Sequence, residues 1–139
     1  MTIQEARAEL QELSNLKAYM VRIKRQRDEL WTKFTSIKIT NYQSQGVHST
    51  FDQEAQLAEI VDKLTTFEKQ LTDAFYKAQE RESALREKVN HLPFPYGEIL
   101  TRRYIERHKL EKISYEMGYT YFYLANKLLP KSVKKYAEL

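Results

Sequence analysis

Apolar side chains recur at Leu13, Leu16, Met20, Ile23, Leu30, Phe34 and Ile37 in alternating steps of three and four, with Arg27 the one polar interruption. That spacing is the inward stripe of a coiled coil. A second series runs Leu57, Ile60, Leu64, Phe67, Leu71, Ala74, Ala78 and Leu85, broken only by Arg81. The two stripes predict long helices over 3–38 and 52–90. Between them 39–50 is polar and holds Gly46, and Thr50 with Gln53 has the spacing of a capping box opening the second helix. A connection of that length permits an antiparallel hairpin with Leu30 near Leu64 and Ile23 near Leu71. Pairing of the same stripes between two chains is the alternative.

The segment His91-Leu92-Pro93-Phe94-Pro95-Tyr96 follows, and its two prolines deny helical geometry to the residues before them. The second helix is therefore expected to end near Asn90, dividing the chain into a hairpin over 1–90 and a smaller domain over 91–139. Both stripes precede Pro93, which predicts that 1–90 is helical and associates on its own. Beyond the prolines lie three short periodic segments, Tyr96–Arg107, Leu110–Met117 and Tyr121–Leu129, and then a basic tail. The fold class is all-α: a long antiparallel helical hairpin followed by a small three-helix domain.

Residues 110–124 carry the spacing of a helix-turn-helix. Ile113 and Met117 would bury the first helix, and Ser114 is small where the second crosses closely. Gly118 is free to take the left-handed conformation that stops a helix. Thr120 caps the next one and Leu124 anchors it. Because Lys127 stands where an apolar anchor is common, Leu128 is expected to take that place, and Pro130 to kink or restart the helix before Lys131.

Only three Gly and three Pro occur among 139 residues, which leaves strands few places to turn. Absence of cysteine removes disulfide frameworks and thiolate metal sites and fits a reducing, cytoplasmic setting. No uncharged apolar run approaches a membrane span, and Met1 to Leu10 lacks the apolar core of a signal peptide. The net charge of +4 lies entirely in the last third: 1–90 carry 14 basic and 14 acidic side chains, 91–139 carry 9 and 5. Such asymmetry points the C-terminal part toward a polyanion.

Catalysis needs convergent reactive groups, and none is evident. His48, His91 and His108 fall in a loop, a linker and a turn, with no ligand spacing among them. The sequence holds no Glu-x-x-His pair of a di-iron bundle and no Gly-rich phosphate loop. No enzymatic activity, cofactor or metal is expected.

Leu92-Pro93, Tyr96, Glu98-Ile99-Leu100, Arg103-Tyr104-Ile105, Lys112-Ile113-Ser114 and Gly118-Tyr119-Thr120 together resemble the sigma-factor region-four fold of small phage and prophage regulators. These are the RinA/ArpU-like late transcription regulators, and the long first helix, the loop with Gly46-Val47-His48-Ser49 and Asp52 opening a second helix extend the resemblance over most of the chain. It implies sequence-specific binding of double-stranded DNA in a bacterial host cell, with contact to host RNA polymerase a further implication. On that reading Thr120 to Lys127 enter the major groove. Tyr121, Phe122 and Asn126, with Tyr123 beside them, face base edges, where Asn126 pairs with adenine and the rings cover thymine methyls. Lys127, Lys131, Lys134 and Lys135, with Arg102 and Arg103, hold phosphates. The hairpin supplies dimerisation or a partner contact. A rival reading is a protein-binding adaptor or inhibitor, since Tyr121-Phe122-Tyr123 makes the recognition helix unusually aromatic and such rings also favour protein interfaces.

Overall fold

A computed structural model describes the backbone of residues 1–43 and 50–139, with side chains over 1–38 and 53–139. The expected turn at Gly46, the loop histidine His48 and the Thr50 side chain on which the capping box depends lie outside the described residues; the backbone of the second helix begins at Thr50 rather than at 52. Among those described every element is helical, with no strand. Two long helices, α1 (Ile3–Gln43) and α2 (Thr50–Asn90), precede a set of short ones. α2 stops where the prolines require, its last turn closed by the His91 N–H on the Lys88 carbonyl and the Leu92 N–H on that of Val89.

α3 (Tyr96–Leu100) starts beyond Pro95 and passes directly into a wider π-helical turn, Thr101–Ile105, in which the Glu106 N–H reaches back five residues to the Thr101 carbonyl. α4 (Leu110–Met117) ends at Gly118, whose φ of 76° is the left-handed conformation expected there. α5 (Tyr121–Tyr123) runs into a second π-helical turn, Leu124–Leu128, and then into α6 (Leu129–Ala137). Pro130 explains that turn. A proline in the first turn of α6 has no N–H to give, so the helix upstream widens and the Leu129 N–H bonds the Leu124 carbonyl five residues back.

The residues read from sequence as a basic tail are therefore a helix. Val133, Tyr136 and Ala137, at helical spacing, are buried, as is Ser132, whose hydroxyl donates to the Leu128 carbonyl at 2.7 Å. Three residues make too short a stripe to stand out beside four lysines.

The chain divides into two compact units: Met1–Lys17 with Lys77–Leu139, and Ala18–Tyr76. In the first, the proline break ends a helix without ending the packing. Ala6, Leu10 and Leu13 from α1 and Leu85 and Val89 from α2 are buried in the same unit as Ile99, Leu100, Ile105, Ile113, Leu124, Leu128 and Val133. Early α1 meets late α2 through ion pairs, Glu9 with Lys88, Glu12 with Arg81 and Lys17 with Glu82. Polar bonds tie α1 to the C-terminal elements as well. Lys17 donates to the Ile105 carbonyl, Ser14 to that of Tyr104, and the N-terminal ammonium to that of Ala137. Gly97 marks the tightest approach: a Cβ there would sit 2.6 Å from the Val89 carbonyl oxygen and 3.2 Å from that of Leu92.

The second unit has less to bury. Among the described residues Ile23, Ile60 and Ala74 are its buried apolar residues, while Leu30, Phe34, Leu64, Phe67 and Leu71 on the same stripes are only half-buried. Arg27 does not simply interrupt its stripe. Its guanidinium reaches Glu68 on α2 at 3.0 Å and its own neighbour Asp28 at 3.2 Å.

Candidate nucleic-acid interface

The turn between α4 and α5 is built by short-range chemistry. Gly118 donates its N–H to the Ser114 carbonyl, and Tyr119 adds a second bond to the same oxygen at 3.0 Å. Thr120, extended at φ −70° and ψ 149°, then accepts the Tyr123 N–H on its side-chain oxygen at 3.2 Å, the cap the sequence calls for. Below the turn Ile113, Leu124, Leu128 and Ile99 form one cluster, with Tyr96, Leu110, Met117, Tyr119 and Leu129 packed around it. Leu128 takes the anchoring place and Lys127 faces solvent. Leu124 and Leu128, four residues apart within the π-helical turn, are both on the core side.

Outside the turn, Tyr121, Phe122 and Tyr123 stand exposed in a row, Phe122 most of all at 70%. Asn126 is on the same outer surface, but its amide nitrogen donates to the Phe122 carbonyl at 3.0 Å. That bond uses one of the two amide hydrogens, so the second hydrogen and the Oδ1 acceptor are left over for a base edge.

Four lysines follow, Lys127 in the second π-helical turn and the other three on α6. Lys127, Lys131, Lys134 and Lys135 have no carboxylate within ion-pair distance among the described residues. Lys131 and Lys135 place their ammonium groups 5.5 and 4.9 Å from the centre of the Tyr96 ring. Tyr96 lies one wall of a cleft of about 390 Å³ whose other walls are Phe122, Tyr123, Lys127, Leu128 and Lys131. It was not among the residues read from sequence as binding groups. Its distance in the chain from the lysines hides the role, which only the packing of α3 against α6 creates.

The two arginines are held differently. Arg102 Nε bonds Glu98 at 2.8 Å and its Nη1 bonds Glu116 at 2.5 Å, so two carboxylates already neutralise it. The Glu98 hydrogen bond is the main cause that raises its pKa, burial opposing it and the charges of Glu98, Glu116 and Glu106 assisting. Arg102 staples α3 to α4 rather than offering a free cation. Arg103 donates from Nη1 to the His108 carbonyl at 3.1 Å and is half-buried. Most acids of the C-terminal third are thus spent on α3, α4 and their connection: Glu98 and Glu116 on Arg102, Glu106 facing His108 at 3.5 Å. α5 and α6 keep the positive excess.

No group of three or more His, Asp or Glu residues is placed to hold a metal among the described residues, and no described helix is long and apolar enough to cross a membrane. Comparison with family models, with curated proteins and with solved structures finds no match.

Proposed function

We propose that this protein is a phage-type DNA-binding transcriptional regulator, in which α4 and α5 act as a helix-turn-helix and α1 with α2 act as a helical hairpin for assembly. The observation that carries the reading is the conjunction at one surface of a Gly118-stopped, Thr120-capped turn, an exposed helix start, and four lysines with no carboxylate partner. A helix start presented this way fits the major groove, and unneutralised lysines on the continuing helix fit the flanking phosphates. Arg102 drops out of the phosphate set because Glu98 and Glu116 hold it.

Fluorescence anisotropy with labelled duplex across a salt series tests this. Lys134→Ala with Lys135→Ala should weaken binding to every sequence and shallow the logarithmic salt slope by about one unit per lost phosphate contact. Asn126→Ala should cost about 1–3 kcal/mol on a preferred site and little on random duplex. Absence of binding even at low salt overturns the reading.

The rows of exposed rings favour one second reading, a protein-binding adaptor. Tyr115 is 89% exposed on α4, and Phe122 stands out from α5. Rings that dock on a protein bury apolar area, so such binding would persist at salt concentrations that release DNA.

A further inference from the structure

The stripes of unit 2 leave a question of sidedness. Numbering each helix from its apolar stripe puts Lys24, Trp31 and Lys38 of α1 along one edge of the seam, and Glu54, Val61, Glu68 and Phe75 of α2 along the corresponding edge. Trp31 and Glu68, one from each edge, line one cleft with the stripe residues Arg27 and Leu64, and Arg27 bonds Glu68 across it, so the two edges lie on the same side. The opposite edge carries Gln26 and Lys33 on α1 and Gln56, Lys63 and Gln70 on α2, polar throughout except for Tyr19.

The first edge is not polar. Trp31 is 58% exposed, Val61 45%, Phe75 47%, and Val21, one turn-step outward on the same side, 65%. Trp31 stacks on Phe34 with centroids 5.6 Å apart, so its outer face is open while its inner face is already supported. One side of a two-helix ribbon is therefore apolar and the other wet, which is the pattern of a surface awaiting a partner.

Charge says which partner. Over 18–38 α1 carries six basic and two acidic residues, whereas over 53–76 α2 carries five acidic and two basic. Among the described residues Lys24 and Arg25 of α1 face no carboxylate within ion-pair distance, and Glu54 and Asp62 of α2 face no cation. A second ribbon of the same sequence, related by a two-fold axis, lays its basic α1 on the acidic α2 and receives the converse in return. Laying α1 on α1 would oppose like charges, so the electrostatics select one orientation.

We propose that the chain pairs with a second copy of itself through the Val21, Trp31, Val61 and Phe75 face, closing the two open ribbons into a four-helix bundle. This deepens the assembly role given to the hairpin and does not depend on whether α5 and α6 bind DNA. Burying those four side chains supplies the core that the half-buried seam lacks.

The full chain without DNA is the material for the test. Trp31 is its only tryptophan, so its emission reports this face directly. Sedimentation velocity should give a dimer, and raising the concentration should shift tryptophan emission to shorter wavelength. Val61→Lys and Phe75→Lys change exposed positions, so both variants should keep their helical circular dichroism while dimer affinity falls about tenfold or more. Lys24→Glu with Lys38→Glu should weaken it too, whereas Lys33→Glu on the polar edge should leave it unchanged. A chain that stays monomeric at its highest soluble concentration overturns the inference. So does a dimer indifferent to Val61→Lys and Phe75→Lys, or one broken by Lys33→Glu instead. Duplex anisotropy on Val61→Lys separates the two readings: loss of the dimer with retained lysine-dependent DNA binding supports the inference, and loss of a lysine-dependent signal in the wild-type chain would count only against the DNA reading.

Discussion

The two compact units draw on the same vocabulary of heptad-spaced apolar residues, yet they close their cores to different degrees. In the unit made of Met1–Lys17 and Lys77–Leu139, Leu10, Leu13, Ile99, Leu100, Ile113 and Leu124 have no exposed surface at all. In Ala18–Tyr76, Leu30, Leu64 and Leu71 stay half-buried although they sit on the stripe. The difference is one of geometry rather than of residue choice. Two helices touch along a line and leave each stripe wet at its margins, whereas several short helices set at angles over a helix pair surround a volume. One unit can hold a surface rigid, and the other keeps apolar area available for association.

That contrast is sharpest for core truncation. Leu124→Ala should cost about 2–5 kcal/mol, because its surroundings are packed on every side and cannot collapse into the space. Leu64→Ala should cost clearly less, since Leu64 already lines an open cleft. Paired thermal or denaturant melts of the two variants measure it, and equal losses would mean that the ribbon's seam is as closed as the other unit's core.

A smaller effect distinguishes the polar ties within the first unit. Tyr136 is 2% exposed and donates its hydroxyl to Glu9 Oε1 at 2.9 Å, while Lys88 bonds the same oxygen and lies 5.5 Å from the Tyr136 ring centre. Burial, then the Glu9 hydrogen bond and charge, push the Tyr136 phenol well above its ordinary value. Burial would raise the Glu9 carboxyl too, but the bonds from Lys88 and Tyr136 and the charges of Lys88 and Arg81 outweigh it and hold it below the ordinary value. A raised phenol contributes stability that is present below about pH 10 and lost as pH rises past it; a lowered carboxyl contributes stability present above about pH 4 and lost as pH falls. Stability should therefore decline at both extremes. Tyr136→Phe should cost about 1–3 kcal/mol near neutrality and flatten the alkaline decline, as read from denaturant midpoints across pH. An unchanged alkaline limb would place the lost stability elsewhere.

Much of this was written locally in the sequence and so could be read there. The Gly118 stop, the Thr120 cap, the buried Ile113 and Leu124 and the end of α2 at Asn90 each depend on neighbours within a few residues. What escaped depends on distant partners. Ala6, Leu10 and Leu13 continue the α1 stripe, but nothing local says that they share a unit with residues beyond Pro93. Arg102 looked like a phosphate ligand because its partner Glu116 lies across a turn, although Glu98 four residues earlier was a visible hint. Pro130 reads as a kink or restart of the helix, and α6 does run on through it, but the π-helical turn that absorbs it has no sequence signature of its own.

Amide hydrogen exchange of the full chain, with and without a random-sequence duplex at low salt, tests most directly the claim that this protein binds DNA with one unit and assembles with the other. Added protection should be confined to the turn at Gly118–Thr120 and to α5 through α6, with 18–43 and 53–76 unchanged by DNA. Protection appearing over 18–76 instead, or no DNA-dependent protection anywhere, would contradict the account.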